Sequence, residues 1–226
     1  MKLKNIILKC RYKIKNKNIR FGKKTIVDSK CNISGNVFMG NSVVFKMSDI
    51  SDHSYIANNS EINRTSIGKY CSIGSHVITA IGSHPTKKFV STHPAFYSKS
   101  DEKVLGYTYV QENKYEEYPG EHTEFGKRSI VIGNDVWIGA NVTIIEGTKI
   151  GDGVIVGAGS VVKGNIPDYA VVLGNPARII RYRFDEDLIM YLKKYKWWDK
   201  DEKFLREKAD YFTDIEMFLG ALDNER

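Results

Sequence analysis

Five histidines, His53, His76, His84, His93 and His122, are the side chains of this 226-residue sequence best suited to moving a proton near neutral pH. One histidine is enough to serve as a general base, taking the proton of a hydroxyl or amine as that group attacks a carbonyl. His53 and His76 fall inside patterned stretches, at positions expected on solvated faces or bends, and His122 lies in an acidic, loop-like part of the chain. His84 sits where the pattern stops, at ITAIGSHPTKK, and His93 follows in STHPAFY. An isolated loop histidine is most often simply exposed, so residue type alone leaves the role of His84 open. The histidine pairs His76/His84 and His84/His93 are eight and nine residues apart, and no metal set is expected from them. Three cysteines, Cys10, Cys31 and Cys71, are an odd number without a CxxC spacing. They argue against a disulfide framework or zinc knuckle and for a reducing, cytoplasmic setting. No activated nucleophile stands out, so any group transfer is expected to be direct rather than through a covalent enzyme intermediate. Around the two loop histidines lie Phe96, Tyr97, Tyr107, Tyr109, Tyr115 and Tyr118. Such rings can pack on sugar faces while their polar tips bond hydroxyls, or they can pack on neighbouring chains.

The element that must position these residues is a repeat. From Ile132 the apolar positions run Ile132, Ile138, Ile144, Ile150, Val156, Val162, a period of six, and Gly133, Gly139, Gly151 and Gly157 follow four of them. Small or branched residues recur four places later, at Val136, Val142, Thr148, Val154, Ser160 and Ile166. An earlier, looser tract runs Phe21, Val27, Ile33, Met39, Phe45, passes irregularly through Ile50, Ile56 and Ile62, and resumes at Ile67, Ile73 and Thr79. Six residues on an α-helix turn through about 600°, which scatters successive repeats over different faces. On an extended path six is a multiple of two, so all of them share one face. Glycine at each repeat breaks a long strand but suits a tight bend. The consistent solution is a coil of very short strands whose apolar ladder is buried along its axis. Cys31 and Cys71 fall on small inward positions and read as packing.

The tract IGNDVWIGANVTIIEGTKIGDGVIVGAGSVVKGNIPDYAVVLGNPARII resembles the hexapeptide-repeat acyltransferases, and the resemblance covers most of residues 19–183. It implies an all-β core, a left-handed parallel β-helix with three hexapeptides per coil, assembled as a homotrimer. SIGKYCSIG, the loop opening with GSHP and the late KWW are similar to the branch holding xenobiotic acetyltransferases and surface-polysaccharide O-acetyltransferases, and STHPAFY leans toward the polysaccharide side. By this resemblance acetyl-CoA is the co-substrate and the base is the histidine at the start of the loop, His84. The pantetheine arm would lie along Trp137, Gly139, Gly157, Ala158, Ser160 and Lys163, with Asn175 and Arg178 near the phosphates and Arg181 and Arg183 adding charge. Related sugar acetyltransferases commonly carry a Thr-Lys pair where this chain has Lys163-Gly164, so the lysine stands one place early and Arg178 is the firmer phosphate ligand. His93, Phe96 and Tyr97 are the acceptor-side candidates. The same coil serves zinc hydratases, whose paired histidines are missing here, and non-catalytic scaffolds, which need no histidine-headed loop. Among acceptors, the hydroxyl of a surface-polysaccharide sugar or its precursor leads. A nucleotide-linked amino sugar is next, and a streptogramin- or chloramphenicol-type drug third.

The rest of the chain divides into a basic segment over 1–18, the coil over 19–183 with an inserted loop over 84–129, and a helical appendage over 184–226. A structureless insertion that long is usually functional. In the last segment Leu188, Ile189, Leu192 and Tyr195 form a helical stripe with Asp185 as N-cap. Further helices are expected near 199–210 and 214–222, shielding the open end of the coil with Trp197 and Trp198 as anchors. No stretch approaches the roughly 18 apolar residues of a membrane span. The net charge is +7, and the first 24 residues hold ten Lys and Arg and no acid. That arm is either solvated or meets anionic lipid or substrate phosphates, which suits peripheral contact with the inner membrane face. Its single early aromatic, Tyr12, and the absence of a reader motif speak against nucleic acid.

Overall fold

The structure is a computed structural model that describes residues 2–223. It divides into two units, Met1–Phe184 and Asp185–Arg226.

The first unit is a parallel β-helix, as the period of six implies, and a left-handed one, as the family resemblance implies. Strands of two or three residues stack into three parallel sheets. One runs Phe38, Tyr55, Ser72, Trp137, Ile155, Val171 in register on its outer face, with Met39, Ile56, Ile73, Ile138, Val156 and Val172 beneath them pointing inward. These inward residues are fully buried, as are Phe45, Ile62, Ile144 and Val162 of the second sheet and Ile50, Ile67 and Ile132 of the third. Alternation of one buried and one outward residue in each short strand is what the two-residue strand period demands.

The irregular middle of the first block has a simple cause. Phe45 to Ile50 and Ile62 to Ile67 are five apart rather than six, so these coils are one residue short on one side. Hydroxyls fill the contracted corner. Ser48 Oγ donates to the Lys46 carbonyl at 2.7 Å and accepts from Thr65 N–H at 3.0 Å, and the Thr65 and Thr79 hydroxyls bond at 2.8 Å. All three side chains are buried and satisfied, so the shortened corner costs no orphaned polar group. At the opposite kind of corner Asn134, Asp152 and Asp168 form a stacked ladder. Asp152 accepts from Asn134 N–H at 2.7 Å and Asp168 from Asp152 N–H at 2.7 Å.

A helix, α1 (Lys2–Lys15), precedes the coil and packs Leu8 and Tyr12 against its core. Tyr12 donates to the Cys31 carbonyl at 2.5 Å and Asn5 holds Thr25 and Val27. Cys31 and Cys71 sit inside the coil, where burial pushes both thiols up to about 12 and leaves them inert as nucleophiles.

Between the strands Ile78–Thr79 and Ile130–Ile132 the chain leaves the coil. The excursion contains a short helix α2 (Glu102–Leu105) and a hairpin in which Glu121–Thr123 pairs with Gly126–Arg128. It returns through a buried ion pair: Arg128 Nε and Nη2 each reach an Asp49 carboxylate oxygen at 2.7 Å, with both side chains almost fully buried. Arg128 also donates through Nη1 to the Lys127 carbonyl and through Nη2 to the Phe125 carbonyl, both at 3.1 Å. After the coil, Ala170–Gly174 and Ala177–Tyr182 form an antiparallel ribbon.

The second unit comprises α3 (Glu186–Tyr195), α4 (Glu202–Glu207) and α5 (Ile215–Asp223), joined by 3-10 turns at Trp197–Asp199 and Ala209–Thr213. Asp185 caps α3 through Leu188 N–H at 2.9 Å, and Asp201 caps α4 through Phe204 N–H at 2.8 Å. Leu192, Trp198 and Phe218 are buried, and Phe212 lies between Trp197 and Phe218. The helix expected over 199–210 is thus a short helix followed by a 3-10 turn. No described helix is long and apolar enough to cross a membrane.

Candidate active site

His84 stands at the foot of the excursion, five residues beyond the last strand before it. Its Nδ1 lies 2.8 Å from the Thr92 carbonyl and 2.8 Å from the Tyr97 hydroxyl. A carbonyl can only accept, so the network assigns the ring proton to Nδ1 and leaves the lone pair on Nε2. Tyr97 is fully buried, and the Glu117 carboxylate acts on its phenol and in turn faces Asp101. With Nδ1 donating to its oxygen, the Tyr97 proton is left to turn toward the Glu117 side. Burial, and then the Asp101 charge, raise the Glu117 carboxyl above its ordinary range, while Tyr97 and His84 pull it down. Burial also raises the Tyr97 phenol, which stays protonated.

The neighbouring residues fix this chain of contacts. Ser83 N–H and Oγ both donate to the Glu117 carbonyl at 3.1 Å, and Ser83 Oγ meets the Tyr115 hydroxyl at 3.0 Å. Phe89, Tyr97 and Tyr115 form an edge-packed aromatic group with centroids 5.5–6.2 Å apart. Arg64 lies 4.3 Å over the Tyr118 ring. A cavity of about 250 Å³ opens here, lined by Ser83, His84, Asp101, Leu105, Glu117 and Tyr118 among others. It is large enough for one sugar ring or a comparable small molecule, and its wall is mixed: Ile81, Pro94, Val104 and Leu105 are apolar, while Ser83, His84, Asp101, Glu117 and Tyr118 offer polar groups.

His93 and Phe96 are exposed on the outer side of the same segment. His93 Nδ1 accepts from Ala95 N–H at 3.2 Å, capping a 3-10 turn, and the ring stacks on Tyr107 at 6.2 Å. Phe96 packs on Tyr109 at 5.2 Å. The loop aromatics therefore fall into an exposed group around His93 and Phe96 and a packed group around Tyr97. Of the remaining histidines, His53 stacks on Tyr70, His76 bonds Asn59, and His122 is exposed in the hairpin.

On the coil, Trp137 is 55% exposed and stands in register with Ser72 and Ile155. Gly139 is needed for close stacking: a Cβ there would lie 2.6 Å from Ala158 N. The Gly139 and Gly157 amides donate to Val156 and Val172 of the next coil at 2.8 Å, so they hold the ladder together. Among the described residues no hydrogen bond engages the N–H groups of Ala140 and Ala158, one coil apart at the same corner. Ser160 is buried, its hydroxyl donating to the Gly157 carbonyl at 2.7 Å and accepting from Gly174 N–H at 3.1 Å. Lys163, Asn175 and Arg178 are exposed at the end of the coil and on the ribbon. Arg183, in contrast, is tied inward by Asp135 at 2.9 Å and the Gly153 carbonyl at 2.8 Å. It is spoken for structurally rather than adding charge beside Arg178. Among the described residues no three His, Cys, Asp or Glu side chains gather into a metal-binding group.

The family model for bacterial transferase hexapeptide (six repeats) matches residues 129–164. A chloramphenicol acetyltransferase of Agrobacterium fabrum is 37% identical over 147 residues, 64% of each chain. Another, of Escherichia coli, is 31% identical over 153 residues, 67% of each chain. This chain belongs to the hexapeptide-repeat acyltransferase superfamily. A galactoside O-acetyltransferase of Escherichia coli is 49% identical over 67 residues, 30% of this chain and 33% of that one. The chain thus spans from about a third to two thirds of these relatives' lengths. A solved N-acyltransferase from Bacillus cereus, in complex with dTDP-4-amino-4,6-dideoxyglucose and coenzyme A, has 21% identity and a TM-score of 0.50. The match covers 82% of this chain and 96% of that one, and shares its fold.

Within this superfamily frame the parts that sequence reasoning did not reach are Ser83, Asp101 and Glu117 beside His84. Residues 84, 97, 101 and 117 have no common spacing, and carboxyl groups in a polar loop look solvated until the chain folds them together. Ala140 and Ala158, by contrast, were legible as a pair: IGA and VGA recur 18 residues apart at the same corner.

Proposed function

We propose that this chain transfers acetyl from acetyl-CoA to a sugar hydroxyl of a bacterial surface polysaccharide or its precursor, with His84 as the general base. The observation that carries this reading is the binding of His84 Nδ1 to the Thr92 carbonyl beside a cavity, which leaves Nε2 as a proton acceptor. A cavity that sets the Asp101 and Glu117 carboxyls beside an apolar wall suits a sugar ring, which has hydroxyl donors and apolar faces. Acceptor hydroxyl binds there, and Nε2 takes its proton as the oxygen attacks the thioester carbonyl. The tetrahedral oxyanion needs N–H donors, and the unengaged amides at the coil corner are candidates for that role or for the pantetheine carbonyls. Collapse releases the CoA thiolate, and the imidazolium returns its proton to that sulfur. Tyr97 and Glu117 act as positioning residues: they hold the tautomer and stabilise the imidazolium while it exists.

Trp137, Gly139, Gly157, Ala158 and Lys163 are proposed to border the pantetheine arm, with Asn175 and Arg178 at the phosphates. The buried Ser160 hydroxyl supports that corner from inside rather than touching ligand. His93 and Phe96 form the outer, acceptor-side rim. Exposed Phe38, Tyr55 and Trp137 lie in one in-register ladder, which supports association of copies as a homotrimer. Light scattering tests this, and a monomer refutes it.

A second acceptor is favoured by a specific observation. Similarity to chloramphenicol acetyltransferases runs over 64% of the chain, twice the extent of that to the galactoside enzyme. Thiol release from acetyl-CoA against surface glycans, nucleotide amino sugars and chloramphenicol-type drugs separates the readings. Turnover with glycans is expected; turnover with the drug alone would replace the sugar reading, and none with any acceptor would remove both.

A further inference from the structure

Helix α1 has two apolar faces, and the coil uses only one. Asn5, Leu8, Lys9 and Tyr12 turn toward the β-helix: Leu8 and Tyr12 pack on its core, and Asn5 and Lys9 donate to the Thr25 carbonyl at 3.0 Å. At 100° per residue, Ile6, Cys10, Leu3, Ile14 and Ile7 occupy one sector about 100° wide on the other side. There Leu3, Ile6, Ile7 and Ile14 are 70%, 54%, 60% and 85% exposed. Arg11 and Lys15 border this sector on one flank and Lys13 on the other, all exposed, with Lys17, Arg20, Lys23 and Lys24 following. The first acid of the chain is Asp28.

We infer that α1 lies on an anionic lipid surface, with Leu3, Ile6, Ile7 and Ile14 entering the headgroup–acyl boundary and the flanking cations meeting lipid phosphates. The physics favours this occupant over a second copy of the face. Two such faces packed together would bring Arg11, Lys13 and Lys15 against their own duplicates, with no acid to neutralise them. An anionic membrane supplies both the apolar layer and the opposite charge, which is the combination that holds interfacial helices. A helix of 14 residues, about 21 Å long, is too short to span a bilayer but suited to lying in its plane. The coil anchors the inner face, so α1 is already folded before it meets lipid and loses little ordering entropy on binding. The inference concerns α1 alone and stands or falls independently of the acetyl-transfer reading.

The full chain supplies its own probe. Cys10 is exposed in the apolar sector, whereas Cys31 and Cys71 are buried thiols pushed up to about 12. An environment-sensitive maleimide fluorophore at pH 7 therefore labels Cys10. The labelled chain is titrated with vesicles of phosphatidylcholine containing 30% phosphatidylglycerol (on the order of a bacterial inner leaflet) and with pure phosphatidylcholine. Sedimentation of unlabelled chain runs in parallel. Expected are a blue shift and co-sedimentation with the anionic vesicles only, weakened by raised salt, and at least about tenfold weaker partitioning for Ile6→Gln/Ile7→Gln with an unchanged melting curve. No binding, equal binding to both vesicle types, or binding unaffected by the double variant overturns the inference. So does a change in particle mass on Ile6→Gln/Ile7→Gln without any lipid binding, which would give the face to another copy.

Discussion

Replacing Tyr97 by Phe removes one oxygen from the interior and leaves the ring in place. The ring packs edge-on against Phe89 and Tyr115, so aromatic packing survives. What is lost is the bond to His84 Nδ1 at 2.8 Å and the interaction of the phenol with the Glu117 carboxylate. Nδ1 keeps the Thr92 carbonyl, so the tautomer is retained. The variant therefore isolates one contribution, the link between the transient imidazolium and a carboxylate. A hydrogen bond to a charged group contributes about 1.5–3 kcal/mol. If that contribution arises only while His84 carries the extra proton, it appears in the transition state, and each 1.36 kcal/mol is about tenfold in rate. The expected loss in kcat is thus about 10- to 100-fold, with KM for acetyl-CoA unchanged. Steady-state thiol release gives both constants, and the pH profile of kcat/KM should shift along its acid limb. Glu117→Gln should act in the same direction, and the double variant should cost less than the sum, because both act through one chain of contacts. A kcat within twofold of wild type and an unchanged pH profile, accompanied by a lower melting temperature, would show that Tyr97 serves packing alone.

Three further outcomes follow from the same geometry. Asp49→Ala strands the buried Arg128 guanidinium and should cost about 3–5 kcal/mol, read by calorimetry as a melting point lowered by about 6–20 °C; a neutral result would mean that the return of the loop is held elsewhere. Asp135 is raised by burial and pulled back down by Arg183, so folded protein binds the extra proton and stability falls as pH rises above the ordinary value of 3.8. Arg183→Gln removes the pull and widens that window, so its deficit, about 1–3 kcal/mol, should be larger at pH 7 than at pH 4; the reverse order in urea titrations would contradict the assignment. With Arg178 at the CoA phosphates as proposed, Arg178→Ala should raise KM for acetyl-CoA several-fold and leave kcat nearly unchanged, since a remote contact binds ground and transition states alike.

Much of the coil was legible because its information is one-dimensional. The apolar residue every six positions names the inward face, and the glycines mark the bends. The shortened coils were legible only as irregularity. Nothing local announces that Ser48, Thr65 and Thr79 meet in space to fill the missing residue. His84 could be singled out because it marks the end of the pattern, but its partners could not. Tyr97 reads like the neighbouring exposed Phe96, and the chain's fold alone turns one ring in and the other out. The same holds for Arg183, which looks like one more cation in RIIRYR until its partner Asp135, 48 residues earlier, is known. In α1 the charge was evident, while the second apolar face required knowing which side the coil covers.

The most direct test of the central claim is acetyl transfer by His84→Ala beside wild type, measured as thiol release with saturating acetyl-CoA and whichever acceptor the wild type turns over. Calorimetry of acetyl-CoA binding runs alongside. The account predicts that kcat falls by about 10²–10⁴-fold while acetyl-CoA affinity and fold are retained. Turnover within a few-fold of wild type would place the base elsewhere and contradict the assignment of this site.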